Sequence, residues 1–172
     1  MALEAQSASL ASENSTRASR AAIKSALDRM TVAVDKFAHR DSSNEYNEAD
    51  IDFHGALALA IGNQMLALLL TGLGDSLRAS FKESFEGRVA RGHSLEETLQ
   101  RHVVVYERVV HRDRRGAAAA MRATLRESKR DLLANLSHSY AANPRISNSA
   151  GVTMSWHRCF VSTPKELCHF AR

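Results

Sequence analysis

Up to Asn135, apolar residues recur at three- and four-residue intervals almost without interruption, and no proline occurs before Pro144. That spacing is the signature of helices that bury one face each. Leu3–Glu13 reads as a short helix with Leu3 and Leu10 on one side, ended by Asn14-Ser15-Thr16, which also supplies an N-cap. Ile23, Leu27, Met30, Val34 and Phe37 form the stripe of a long second helix, and His39–Asn44 is a polar loop. Tyr46–Gly62 predicts a central helix stopped by Gly62-Asn63. Met65–Phe85 predicts another, with Leu66, Leu70, Leu73, Leu77 and Phe81 on one face and Gly72 and Gly74 as points of weakness. Gly87–Gly92 reads as a basic loop, and Ser94 with Glu97 as a capping box. The helix it opens carries Leu95, Leu99, His102, Tyr106 and Val110, and Asp113 caps a last long helix lined by Ala117, Met121, Thr124 and Leu132, with Leu125 beside them. Short links between such helices predict an all-α antiparallel bundle of about six or seven helices.

After Asn135 the pattern changes. The tryptophan, both prolines and both cysteines (Cys159 and Cys168) lie there, and 143–151 is rich in Ser and Asn without periodicity. The expected organisation is a helical body over 1–135 and an irregular, poorly ordered tail over 136–172. Most of the net charge of +4 also belongs to the tail, through Arg145, Arg158, Lys165 and Arg172 against Glu166. The body is therefore close to neutral, and the basic balance of the whole chain argues little for a nucleic-acid surface. Ala56–Leu73 is apolar over about the length of a bilayer span, but Gly62, Asn63 and Gln64 interrupt it, which favours two buried helices over a membrane segment. The polar N-terminus without a charged and apolar leader, and a body without cysteine, fit a cytoplasmic setting.

Three polar residues stand on stripes that otherwise face the core. Asp50 and His54 are four residues apart in the central helix, so they stack on one face with Tyr46, Leu57 and Ile61. His102 holds the corresponding place in the penultimate helix. Burying ionisable groups is costly unless they are bonded, paired or bound to a metal. The spacing allows either a hydrogen-bonded core pair or, if the two helices are neighbours, a two-imidazole, one-carboxylate set suited to a divalent transition metal. His39, His93 and His111 fall at helix ends or in loops, where surface roles are expected.

The run Asp50-Ile51-Asp52-Phe53-His54, followed by Ala56-Leu57 and Gly62-Asn63, resembles the signature of the FCD domain. That domain is the effector-binding half of FadR-subfamily regulators within the GntR family. Leu3-Glu4, Ala8, Leu10-Ala11 and Glu13-Asn14 resemble its opening helix, and His102, Asp113, Ala120-Met121-Arg122-Ala123 and Leu125 its closing pair. The resemblance covers roughly residues 3–133. It implies an antiparallel helical bundle that senses small metabolites, commonly organic acids, and often holds a metal with one acid and three histidines. Asp50, His54 and His102 match three of those positions, and Thr124 stands where the third histidine is expected. A divalent metal of the zinc or nickel type is thus implied, with affinity weakened by Thr124.

Full-length members of that family begin with a winged-helix DNA-binding domain, for which the residues before Leu3 leave no room. The expectation is a sensor domain apart from its DNA reader, in a truncated gene or a fragment, with DNA contacted only through the missing domain. The resemblance implies a homodimer that binds a small carboxylate metabolite in the bundle core, through the metal or directly by His54, His102 and a nearby cation, with Thr124 at the same site. Arg78, on the Leu-rich helix, is named as that cation, and its alternative is a solvated surface arginine. Two rivals stand beside this reading. A metal-dependent enzyme would use open coordination positions to activate water, but no carboxylate is placed as an obvious general base and Glu107 is off the His102 stripe. A helical interaction module would have an inert core.

Overall fold

The computed structural model describes residues 2–37, 42–72 and 74–141. They form seven helices: α1 (Ala2–Asn14), α2 (Arg17–Phe37), α3 (Ser43–Ala60), α4 (Gln64–Gly72), α5 (Gly74–Ala90), α6 (Leu95–Val110) and α7 (Arg114–Ala141). No strand occurs among the described residues, so the all-α bundle expected from periodicity is what forms. Met1–His138 make one compact unit. In the second, Ser139–Arg172, only the last turn of α7 is described, and the expectations placed on the tail lie outside the described residues.

The ends of the helices follow local chemistry. Thr16 Oγ1 accepts from the Ser19 N–H, Ser94 Oγ from the Glu97 N–H, and Asp113 Oδ1 from the Gly116 N–H at 2.8 Å. Each satisfies a donor that the first helical turn leaves unpaired. Gly62 closes α3 at φ 71°, a left-handed conformation that an L side chain adopts only with strain. The Asn63 N–H then returns to the Ala58 carbonyl.

α3 is the centre of the bundle. It packs along α2 and touches α1, α4 and α5, while α6 lies on α1 and α2. The core joins Ile23, Leu27, Met30 and Val34 of α2 to Tyr46, Phe53 and Leu57 of α3, Val105 and Val109 of α6, and Ala117 and Met121 of α7. α1 contributes only small buried residues, Ala5, Ser7, Ala8, Ala11 and Ser12. With no bulky side chain between them, the α1 backbone can come close to its neighbours.

Three local expectations need correction. α1 buries its alanine and serine face, and Leu3 is exposed. The helix predicted over Met65–Phe85 corresponds to α4 up to Gly72 and α5 from Gly74, and residue 73 between them lies outside the described residues. The expected basic loop at Gly87–Gly92 is mostly helix, because α5 continues to Ala90. Helix α6 is rotated slightly: Thr98, Val105 and Val109 are buried with Leu95 and His102, whereas Leu99 and Tyr106 are half-buried and Val110 is exposed. No helix among the described residues is long and apolar enough to cross a membrane.

Candidate metal centre

Helical periodicity on α3 brings Tyr46, Asp50, His54 and Leu57 to one buried face. His102 enters from α6 and is almost completely buried. Asp50, His54 and His102 each present one donor atom, and these three atoms lie within 4.8 Å of one another. Asp50 Oδ1 stands between the rings, 2.8 Å from His102 Nε2 and 3.6 Å from His54 Nε2. The imidazole centroids are 5.6 Å apart with the rings nearly perpendicular, and Phe53 meets both edge-on, at 5.0 Å from His102 and 5.8 Å from His54. Phe53 thus fixes the orientation of two polar rings with an apolar one.

His102 Nδ1 is 2.8 Å from the Thr98 carbonyl oxygen. A carbonyl only accepts, so this nitrogen carries the proton, and in the neutral ring Nε2 offers its lone pair toward Asp50. Burial alone would raise the Asp50 pKa, but the positive charge His102 can carry, its contact with the carboxylate, and then His54 and Arg88 outweigh that and hold it below the usual value. Tyr46, one turn earlier on α3, is driven well above the ordinary tyrosine pKa by burial and by Asp50, against Arg88 and Arg101, so it stays a neutral hydroxyl.

These groups fit a divalent metal. Two donors on one tetrahedral zinc, each about 2.1 Å from it, stand roughly 3.4 Å apart, and the observed separations of 2.8 and 3.6 Å bracket that value. Asp50 Oδ1 and His102 Nε2 are also buried with no hydrogen bond of acceptable geometry, despite their closeness. Bonds to a cation would answer both, whereas an unanswered buried polar atom costs about 1–3 kcal/mol. The cluster opens on a cavity of about 170 Å³. Its polar lining is Glu4, Asp50, His54, His102 and Ser128, and its apolar wall is Ile51, Phe81 and Leu125. Larger hollows exist, one of about 720 Å³ along the charged outer faces of α2 and α3, but no cluster residue lines it.

Of the other residues expected here, Thr124 is buried, yet its hydroxyl donates to the Ala120 carbonyl of its own helix at 3.1 Å. It is not among the residues that line the 170 Å³ cavity. Arg78 lies on the outer side of α5, half exposed and paired with Glu48. The cation that does influence Asp50 is Arg88. It is buried near the end of α5, donating to Asp131 Oδ2 at 2.7 Å, while Arg91 donates to Asp131 Oδ1 at 2.6 Å. Sequence reading passed over Arg88 because it fell in the presumed loop, and its partner is 43 residues away. Glu4 was passed over likewise; its closeness to His54 depends on how α1 docks. His93 and His111 sit at helix ends as expected, bonded to Glu97 and to the Glu107 carbonyl, and His39 lies outside the described residues.

Set against known families, residues 1–127 match the FCD domain. The chain is also similar to the galactonate operon transcriptional repressor of Escherichia coli (strain K12), with 30% identity over 122 residues, which is 71% of this chain and 49% of the relative. It therefore spans about half the length of that curated relative.

Proposed function

The chain belongs to the FCD domain family, and from that premise we propose that it is the effector-sensing and dimerising part of a GntR/FadR-type transcriptional regulator. The ligand in this reading is a small organic acid, received in the cavity beside Asp50, His54 and His102 through a divalent metal of the zinc or nickel type. The observation that carries the reading is the buried three-donor group opening on that cavity. When bound, a divalent cation supplies coordination positions that a carboxylate oxygen can occupy. The side chains do the rest. Asp50 balances positive charge, His54 and His102 direct their Nε2 atoms to one point, and Phe53 excludes water from the side it covers. A cavity of about 170 Å³ suits a small acid better than a drug-sized molecule. DNA contact in this reading belongs to a winged-helix domain outside these helices.

The regulator relative favours a sensor over a metal-dependent enzyme or an inert module. The test is calorimetry of the purified chain with Zn²⁺ or Ni²⁺, followed by a panel of small hydroxy acids and aldonates. Galactonate comes first because of the name the relative carries. The expected result is saturable metal binding, with acid binding that depends on metal and no turnover of the acid. Absence of both binding events would leave the inert bundle standing, and turnover would establish the enzyme.

A further inference from the structure

His54 lies between two carboxylates. Its Nε2 faces Asp50 at 3.6 Å, and its Nδ1 is 3.5 Å from Oε1 of Glu4 on α1. That Nδ1 is buried and has no hydrogen bond of acceptable geometry. The two imidazoles are thus arranged alike: each turns Nε2 toward Asp50 and Nδ1 toward an oxygen acceptor. For His102 the acceptor is a carbonyl of its own helix, whereas for His54 it comes from a different helix. Glu4 also lines the 170 Å³ cavity and a narrow crevice shared with His54, Leu57 and Met121. The alanine and serine face of α1 is what lets a carboxylate from that helix come so close.

We infer that Glu4 is a positioning residue of this centre, contributed by α1. A shift of a few tenths of an ångström from the observed 3.5 Å lets it accept the Nδ1–H of His54, and so hold the tautomer whose Nε2 lone pair points at Asp50 and His102. The inference rests on the metal-dependent sensor reading above. A histidine ligand whose other N–H is held by a carboxylate is better oriented and more basic, and losing such a partner typically weakens metal affinity about 10–100-fold. The effect matters more here because Thr124 supplies no further imidazole. There is a second consequence. A cation on Nε2 makes the Nδ1–H a stronger donor, which tightens the hold of Glu4 and therefore of α1. Occupancy of the buried centre is in this way reported to the N-terminal helix.

The experiment compares wild type with Glu4→Ala, Glu4→Gln and, as a control on the same helix, Glu13→Gln, whose carboxylate pairs with Arg114. Zn²⁺ affinity is read by calorimetry, the ligand field by Co²⁺ absorption, and α1 protection by hydrogen exchange with and without Zn²⁺. Glu4→Ala is expected to raise the Zn²⁺ Kd about 10–100-fold. Glu4→Gln, whose amide oxygen can accept the same bond, recovers part of the loss with an unchanged Co²⁺ spectrum, and Glu13→Gln behaves as wild type. Zn²⁺ slows α1 exchange in wild type and not in Glu4→Ala. If Glu4→Ala does not fold, the partial loss in Glu4→Gln carries the comparison. Equal Zn²⁺ affinity in wild type and the Glu4 variants overturns the inference. So does a changed Co²⁺ spectrum in Glu4→Gln, which would make Glu4 a direct ligand. Wild type that binds no Zn²⁺ overturns instead the metal reading on which the inference rests.

Discussion

Residue by residue, the buried centre depends on what each side chain can do with a lone pair. His54→Ala removes one of three donors and is expected to abolish measurable Zn²⁺ binding. His111→Ala, at an exposed helix end, should leave it unchanged. Thr124 is the informative position. Its hydroxyl is spent on the Ala120 carbonyl, while Met121, Leu125 and Ser128 on the same helix border the two hollows beside the cluster. Thr124→His places an imidazole on that wall and should tighten Zn²⁺ binding by on the order of tenfold or more. Because the ion binds only the folded state, 100-fold excess over Kd adds about 2.7 kcal/mol of stability. Calorimetry that finds the same Kd for Thr124→His and wild type would show that α7 does not face the centre closely enough to serve it.

Among the elements, α5 and α7 come close together at Gly87. A Cβ on Gly87 would lie 1.8 Å from the Asp131 carbonyl oxygen, a backbone atom that cannot swing aside. The same seam holds the buried Arg88–Asp131 pair, so the close approach and the ion pair depend on each other. Gly87→Ala should therefore destabilise the fold by about 2 kcal/mol or more, since forced overpacking typically costs 1–3 kcal/mol. Denaturant unfolding with less than a few tenths of a kcal/mol change would show that the helices separate freely. The start of α7 gives a pH test. The Gly116 N–H, and then Arg108 against a small burial effect, holds Asp113 below the usual aspartate pKa. A depressed carboxyl stabilises the fold above its unfolded pKa of about 4 and loses that contribution as pH falls through the folded value. Asp113→Asn keeps an acceptor for Gly116 but carries no charge. Its thermal midpoint should accordingly fall less between pH 5 and 3 than that of wild type. Parallel acid slopes would remove Asp113 from the account.

At the scale of the whole molecule, the surface carries an apolar group that the described helices leave in water. Leu59, near the end of α3, and Met65, Leu68 and Leu69 of α4 are each about half to two-thirds exposed. Neighbouring large apolar side chains exposed on one short stretch commonly mark an interface. In the proposed dimer a second copy covers them. Sedimentation of wild type should give a dimer mass at micromolar concentration, and Met65→Lys with Leu68→Lys should shift it to monomer without loss of helix content. A variant that remains dimeric would place the interface elsewhere.

Helical periodicity is a property of neighbouring residues, and it was enough to establish an all-α body, the positions of most caps and the stop at Gly62. Asp50 and His54 were legible for the same reason, since an i, i+4 pair on an apolar stripe is local information. His102 was legible in the same way, as a polar residue on the stripe of its own helix, and it joins them in space as expected if the two helices are neighbours. What the sequence could not decide was the side from which each helix is covered. On α6, two stripes offset by about one residue both contain His102, and only the packing of α1 and α2 selects the one with Thr98, Val105 and Val109. Arg88 was hidden by a helix longer than its glycines suggested, and its value depends on Asp131, which tertiary folding brings to it. Glu4 looked like an ordinary acid in a first helical turn. Its place beside His54 follows from an Ala/Ser face that lets α1 settle close to α3, a matter of packing that no local pattern records.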